Sequence, residues 1–426
     1  MQHSLLLAAL VLTCFCVGST WADIEDDQRV AASLLANGRI AEAEEIVGRL
    51  RGVESPDLQT LFLSGLLHIE RGRYDRAASE FRIMLSRDPT LLRPRLELAR
   101  ALFLARDYQG ARYHFEQVLA APLPDTVRAN VLGYIGAIRN RLPSFAFSAE
   151  IISDSNPKQA TSSKIVEIAG QPFVLTKKSR AHEEYGLQLT GQAKVPLANN
   201  PSWYASGYIE NYDYPGRDFD QTYIQAVGGK HLEFDSHELD LELGAHYAAY
   251  QGTDLYRGPL ARGSYAKRLL PNLWAGLYLD ARKFDYQDFP YLNGWQTAET
   301  LELRYAISTN KSFFPSLFLI QHDARDSAWA FDAVGVGARY VHEWKGGWIT
   351  RLSIQYSTYR YEGRDFFFDK VRSDHEWRSE ISIGNRLLAY RGFIPRLILG
   401  IVDHRSNINL YAFDRVYVRA GVTKEY

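Results

Sequence analysis

Residues 237–249 read HELDLELGAHYAA, and the fold class follows from the period of this stretch. Leu239, Leu241, Leu243, Ala245, Tyr247 and Ala249 alternate with Glu238, Asp240, Glu242, Gly244 and His246. Successive side chains of a strand point to opposite faces, so the two sets separate cleanly in an extended chain. A helix would scatter both sets around its axis. The same alternation recurs in fourteen segments between Ser144 and Lys424, with no helical pattern among them. Many strands joined by turn residues predict a closed antiparallel barrel.

Whether the apolar face meets a core or lipid is decided by the opposite face. Along residues 273–282, Leu273, Ala275, Leu277, Leu279 and Ala281 oppose Trp274, Gly276, Tyr278, Asp280 and Arg282. In the segment Trp348–Tyr359, Leu352, Ile354 and Tyr356 oppose Arg351, Ser353, Gln355 and Ser357. A charge on nearly every strand suits a wet lumen, because a dry core would strand it without partners. The connections also alternate. Asp154–Ala181, Tyr212–Asp218, Asp285–Gly294, Tyr361–Arg372 and His404–Leu410 are long or aromatic-rich, whereas Glu233–Ser236, Leu269–Asn272, Ser308–Lys311 and Lys345–Gly346 are short. Short turns on one side and long loops on the other are expected of an outer-membrane barrel, with the short side periplasmic. An alternating last strand running to an aromatic Tyr426 fits the same class.

Composition agrees. Leu5 to Val17 is an apolar run too short to span a bilayer as a helix, and Thr20-Trp21-Ala22 precedes Asp23, so residues 1–22 are read as a cleaved signal peptide. A lipoprotein signal ending at Cys14 is the rival reading, though Thr13 is a poor residue before a modified cysteine. Cys14 and Cys16 are the only cysteines, so the expected mature chain has no disulfide, thiol chemistry or cysteine metal site. A formal net charge of -1 gives no pull toward nucleic acid.

Residues 23–142 have a different period. Ile40, Tyr74 and Tyr108 are spaced by thirty-four, as are Ala43, Ala77 and Ala111, then Val47, Phe81 and Phe115, and upstream Ala31, Gly65 and Ala99. This is the tetratricopeptide spacing, with small residues where paired helices touch. Pro56, Pro89 and Pro122 fall near the repeat ends, and Gly38 and Gly72 where one helix turns into the next. About three repeats and a closing helix over Thr126–Arg141 are expected, forming a periplasmic surface for a protein partner. The proline at Leu142-Pro143-Ser144 divides this domain from the barrel of residues 143–426. The predicted fold is therefore an α + β membrane protein, an α-helical repeat domain followed by a fourteen-stranded antiparallel transmembrane barrel.

Two short stretches resemble a known family. Ser153-Asp154-Ser155-Asn156-Pro157 is similar to the S-D-S-N-P segment of the surface lipoprotein assembly modifier (Slam) proteins. Ser406-Asn407-Ile408-Asn409-Leu410-Tyr411-Ala412-Phe413-Asp414-Arg415 is similar to that family's closing S-N-I-x-x-Y-x-x-x-R stretch. The resemblance implies translocation of lipoproteins, or of secreted haem- or metal-scavenging proteins, from the periplasm to the cell surface, as in type XI secretion. It brings no catalytic residue, cofactor or metal site. The chain is accordingly expected not to be an enzyme. His231, His237, His246, His322, His342, His375 and His404 stand in no motif that orders a nucleophile and a base.

The repeat surface, through Tyr74, Arg106, Tyr108 and Arg112, is the candidate client contact, with a periplasmic chaperone as a further partner. Outer-membrane lipid and the barrel assembly machinery complete the expected partners of a monomer that binds no nucleic acid. The alternative is an outer-membrane exopolysaccharide export porin with periplasmic tetratricopeptide repeats. Phe289-Pro290-Tyr291 and Phe366-Phe367-Phe368 fit either client contact, a lid on the pore, or the outer aromatic girdle.

Overall fold

A computed structural model describes residues 21–424 apart from 54, 142, 169, 198, 199, 217, 235, 391 and 392. The expected signal peptide up to residue 20, Leu142 of the junction and the terminal Tyr426 lie outside the described residues. The chain divides into two compact units, one ending at Arg73 and one beginning at Tyr74.

The first unit holds α1 (Trp21–Ala36), α2 (Ile40–Arg51) and α3 (Leu58–Glu70). Ala31, Val47, Leu63 and Leu67 form its core. Asp57 caps α3, accepting from the Thr60 backbone N–H at 2.7 Å, which satisfies one of the free amides that begin every helix. Arg73 and Arg71 both reach Glu44, each at 2.6 Å.

The second unit begins with α4 (Tyr74–Arg87), α5 (Leu92–Leu104), α6 (Tyr108–Val118) and α7 (Asp125–Arg141). The thirty-four-residue columns land on equivalent helix positions. Ile40, Tyr74 and Tyr108 are the first residues of α2, α4 and α6. Ala43, Ala77 and Ala111 are fully buried, as are Phe81 and Phe115. The turn positions keep the same register: Gly38, Gly72 and Arg106 all have positive φ, at 70°, 69° and 63°. Arg106 thus holds a left-handed conformation that its two counterparts reach with glycine.

After Pro143 the chain runs as strands β1 (Ser144–Asp154), β2 (Ile165–Ile168), β3 (Gln171–Val174), β4 (Glu184–Leu197), β5 (Asn200–Asp213), β6 (Gln221–Phe234), β7 (His237–Tyr250) and β8 (Thr253–Leu270). It continues through β9 (Leu273–Tyr286), β10 (Gly294–Ser308), β11 (Lys311–Ala324), β12 (Phe331–Glu343), β13 (Trp348–Asp365), β14 (Lys370–Asn385), β15 (Phe393–Ser406) and β16 (Phe413–Lys424). β2 and β3 pair only with each other, in a hairpin inside the β1–β4 loop. The other fourteen close into an antiparallel barrel in which β1 pairs with both β4 and β16. The barrel and its strand number are as the alternation predicts. The β2–β3 hairpin is not, because four-residue strands carry too few alternations to be distinguished from loop.

The faces also separate as expected. On β7, Leu241 and Leu243 are 50% and 72% exposed, whereas His246 and Glu238 are buried. Leu277, Leu301, Leu319, Leu352, Ile381 and Leu399 repeat this outward exposure around the ring. An exposed apolar band of that extent belongs against lipid. No helix among the described residues is long and apolar enough to cross a membrane.

Connections at the end that carries the helices are short, such as Pro271-Asn272 and Thr309-Asn310, and those at the other end are mostly long. One is tight there too: Gln251-Gly252, with φ of 54° and 76°, is a two-residue hairpin turn. The expected loop Tyr361–Arg372 is instead mostly ladder, since Arg364 pairs with Val371 beyond a bulge after Arg360. Its charged residues hid the strand because no apolar face is needed where a hairpin stands clear of lipid.

A candidate translocation path capped by helices

The helices α4–α7 are fastened to the short-turn end of the barrel by a buried polar cluster. Arg95 on α5, wholly buried, donates to Glu343 at 2.6 Å, to the carbonyl of Pro89 at 2.7 Å, and to His114 Nδ1 at 3.2 Å. Glu343 ends β12 and also receives Arg386 from the β14–β15 turn at 2.8 Å and the Tyr113 hydroxyl at 2.5 Å. Asn310 in the β10–β11 turn donates to the Glu343 carbonyl at 3.0 Å. One carboxylate therefore anchors two guanidiniums and a phenol from three separate elements. In so dry a setting both cations depend on it.

His114 is buried between Arg95 and Arg386, and burial first, then those two positive charges, hold its pKa well below 6.5. The Arg95 bond requires a bare Nδ1, which fits a neutral ring. Burial and the Glu343 charge push the Tyr113 hydroxyl up, so it stays protonated as a donor.

α6 lies as a chord across the mouth. At its start the Asp107 carboxylate is 3.9 Å from Lys424 of β16; at its other end Gln117 donates to Ser312 of β11 at 2.7 Å. Between these, Arg112 faces a cavity of about 180 Å³ that Lys194, His231, Asp240, Tyr278 and Arg304 line from the barrel wall. A second cavity of about 390 Å³ lies in the lumen, lined by Arg339, Arg378, Arg415, Arg419, Glu302 and Glu380 among others.

The lumen is polar and many of its charges are paired. Asp280 takes Arg262 at 2.8 Å and Arg282 at 2.5 Å, and Asp240 takes His231 at 2.9 Å. His404 bridges Asp374 and Glu376, each at 3.1 Å. The charged inward face expected from the sequence is thus present, with ion pairs along the wall.

The two family-like stretches, some 260 residues apart in the chain, meet at the seam where the last strand closes on the first. Asp154, fully buried, pairs with Arg415 at 2.5 Å. Ser155 exchanges bonds with Val416, its N–H donating to the Val416 carbonyl at 2.9 Å and its hydroxyl accepting from the Val416 N–H at 2.8 Å. Asn156 donates to the Asp414 carbonyl at 3.1 Å. Lower on the seam, Glu150 of β1 reaches over β16 to Arg396 of β15, passing Gly421. A Cβ at Gly421 would stand 2.0 Å from the Ala149 carbonyl, so only glycine fits. Seven register pairs join β1 to β16 among the described residues, against eleven joining β1 to β4, and side-chain pairs supplement this shorter ladder.

The four residues expected to contact a client are spread over α4, the α5–α6 turn and α6. Tyr74 begins α4 and is half-buried; Arg106 is exposed in the α5–α6 turn; Tyr108 begins α6 and packs edge-on against Phe103 at 5.8 Å. Arg112 points into the mouth of the lumen, paired with Glu116 at 2.8 Å. The sequence itself does not mark Arg95, Glu343 and Arg386 as a site. Arg95 and Glu343 lie 248 residues apart, and neither stands in a local motif.

Comparison with known proteins bears on the barrel directly. Residues 144–425 match the family described as Surface lipoprotein assembly modifier. The chain is similar to Surface lipoprotein assembly modifier 1 of Neisseria meningitidis serogroup B, 23% identical over 88% of this chain and 78% of that protein. It is similarly related to Surface lipoprotein assembly modifier 1 of Haemophilus influenzae, at 23% identity over 83% of this chain and 75% of that protein. Among solved structures, the outer membrane channel DcaP of Acinetobacter baumannii covers 66% of this chain and 97% of its own, at 9% identity and a TM-score of 0.37, a likeness too loose to bear on function.

Proposed function

This outer-membrane barrel belongs to the surface lipoprotein assembly modifier family, and from that premise we propose that it receives protein clients in the periplasm and delivers them to the cell surface. The clients are surface lipoproteins, or secreted scavengers of haem or metal. Residues 23–142 act as about three tetratricopeptide repeats and a closing helix on the periplasmic side, where they take up a client or the chaperone that brings it. The observation that carries this reading is the placement of α6 across the mouth of a charged lumen, with Arg112 facing inward. The surface of α4–α7 and the conduit are then one continuous path. Capture on the helices would compete with the Arg95–Glu343–Arg386 cluster, and release of α6 would open the lumen. No nucleotide motif is present in the sequence, so folding of the client at the outer surface is the proposed source of direction.

The test is deletion of the gene followed by antibody probing of intact cells for each lipoprotein of the host. Loss of one or more lipoproteins from the surface, with normal amounts in whole-cell extracts, is expected. Restoration by the full chain but not by a barrel lacking residues 23–141 is expected as well. Unchanged display of every lipoprotein, with loss of exported polysaccharide instead, would move the protein to the export-porin class.

A further inference from the structure

We propose that the loops at the end opposite the helices carry a rigid aromatic ridge that holds apolar segments of the unfolded client as it leaves the lumen. This rests on the translocator reading above and names what the outer end of the path does.

The ridge is a chain of ring contacts crossing four loops. Phe289 meets Tyr291 at 6.1 Å between centroids, Tyr291 meets Trp329 at 6.2 Å, Trp329 meets Tyr411 at 6.0 Å, and Tyr411 meets Phe368 at 6.2 Å. It ends at the tip of the β13–β14 hairpin, where Phe366 is 90% and Phe367 60% exposed. Two phenylalanines so open to water form no core of their own, and exposed apolar groups on an ordered frame mark a contact site.

The frame is ordered by specific bonds. Asp365 accepts from the backbone N–H of Phe367 at 2.9 Å and of Phe368 at 3.2 Å, and from the Tyr411 hydroxyl at 2.6 Å. Asp326 donates its N–H to the Tyr291 carbonyl at 2.9 Å, and Gly363 donates to Ser327 at 2.7 Å. A side chain at Gly363 would come within 2.3 Å of the Ser327 hydroxyl, so the loops touch backbone to backbone.

Lipid is not the occupant. Tyr356 and Trp377 pair on the outer wall at 4.8 Å, as a membrane-interface girdle does. Beyond them the outward positions of β13 are Arg360, Glu362 and Arg364, all exposed. The eight residues of tilted strand from Thr358 to Asp365 lift the tip by roughly 20 Å. The ridge therefore stands in water, above the apolar band. It is instead continuous with the lumen: Arg372 stacks over Tyr411 at 3.9 Å and binds the buried Asp374 of the lumen wall at 2.6 Å. A polypeptide moving outward along that wall meets the ridge first, before it can bury its own apolar side chains.

The test uses the full chain in lipid nanodiscs and, as a defined unfolded probe, reduced and carboxymethylated α-lactalbumin, with the disulfide-intact protein as its folded control. The unfolded form is expected to bind, with at least five-fold weaker binding to a Phe366→Ser, Phe367→Ser variant and to a Phe289→Ser, Tyr291→Ser variant. Heat-modifiable gel mobility checks that both barrels are folded. Equal binding by wild type and both variants overturns the proposal, as does loss confined to lipopolysaccharide binding. In cells, a benzophenone amino acid at position 367 is expected to cross-link the lipoprotein whose display depends on this chain. An adduct at position 112 but none at 367 overturns the ridge and leaves the translocator standing. Display independent of the chain overturns the translocator, and the nanodisc binding then judges the ridge alone.

Discussion

Glu343 is the residue on which the helix-to-barrel attachment turns, since Arg95 and Arg386 share its carboxylate out of contact with water. Removing one partner of a buried ion pair leaves an uncompensated charge and costs roughly 3–5 kcal/mol. Glu343→Gln should therefore release α5 and α6 while leaving the barrel folded. Faster amide exchange in those helices, with unchanged heat-modifiable mobility, is the expected result, and unchanged exchange would remove Glu343 from this role. His114 adds a pH dependence. Its folded pKa lies below the unfolded value near 6.5, so between the two the unfolded state binds the extra proton. Stability of the helix packing is full above about pH 6.5 and falls as pH drops below it, by at most about 1.4 kcal/mol per pH unit. Exchange protection of α6 should follow that course in the wild type and lose the dependence in His114→Gln. None of this could be read along the chain, because each group is defined by partners from remote elements.

At the scale of elements, the seam between β1 and β16 is where the barrel closes. Asp154–Arg415 and Glu150–Arg396 tie its two sides, and Gly421 lets the second pair cross. Gly421→Val should prevent closure and abolish the heat-modifiable band. Asp154→Asn should leave a closed barrel with a lowered unfolding temperature, because Arg415 then loses its buried partner. Equal melting of Asp154→Asn and wild type would show that the ladder alone holds the seam. The family-like stretches gain their meaning at this scale: Asp154, Ser155 and Asn156 are the inner half of a clasp whose outer half is Asp414, Arg415 and Val416. The strands themselves were legible wherever a lipid face enforced alternation. The outer part of β13 was not, because Arg360, Glu362 and Arg364 face water and nothing there requires an apolar residue.

For the whole molecule, the proposed path needs α6 to leave the mouth. Gln117 and Ser312 touch at 2.7 Å, and cysteine occurs in this sequence only at positions 14 and 16. A Gln117→Cys, Ser312→Cys pair joined by disulfides through a short bis-methanethiosulfonate spacer should hold α6 in place. Single-channel conductance in planar bilayers should then be low, and display of the dependent lipoprotein should stop, both recovering on reduction. Normal display with the cross-link intact would mean that clients do not pass beneath α6.

The barrel, its fourteen strands and the helical register before it are all legible along the chain. Period and burial are local consequences of which side chains meet lipid or water, and Leu239 to Ala249 records them residue by residue. Where charges find partners is set only once the chain has folded. Arg95 meeting Glu343, Arg112 turning inward, and residues 153–157 meeting 406–415 all depend on closing the ring and laying a helix across it. Electrostatic complementarity between distant segments leaves no period in a sequence.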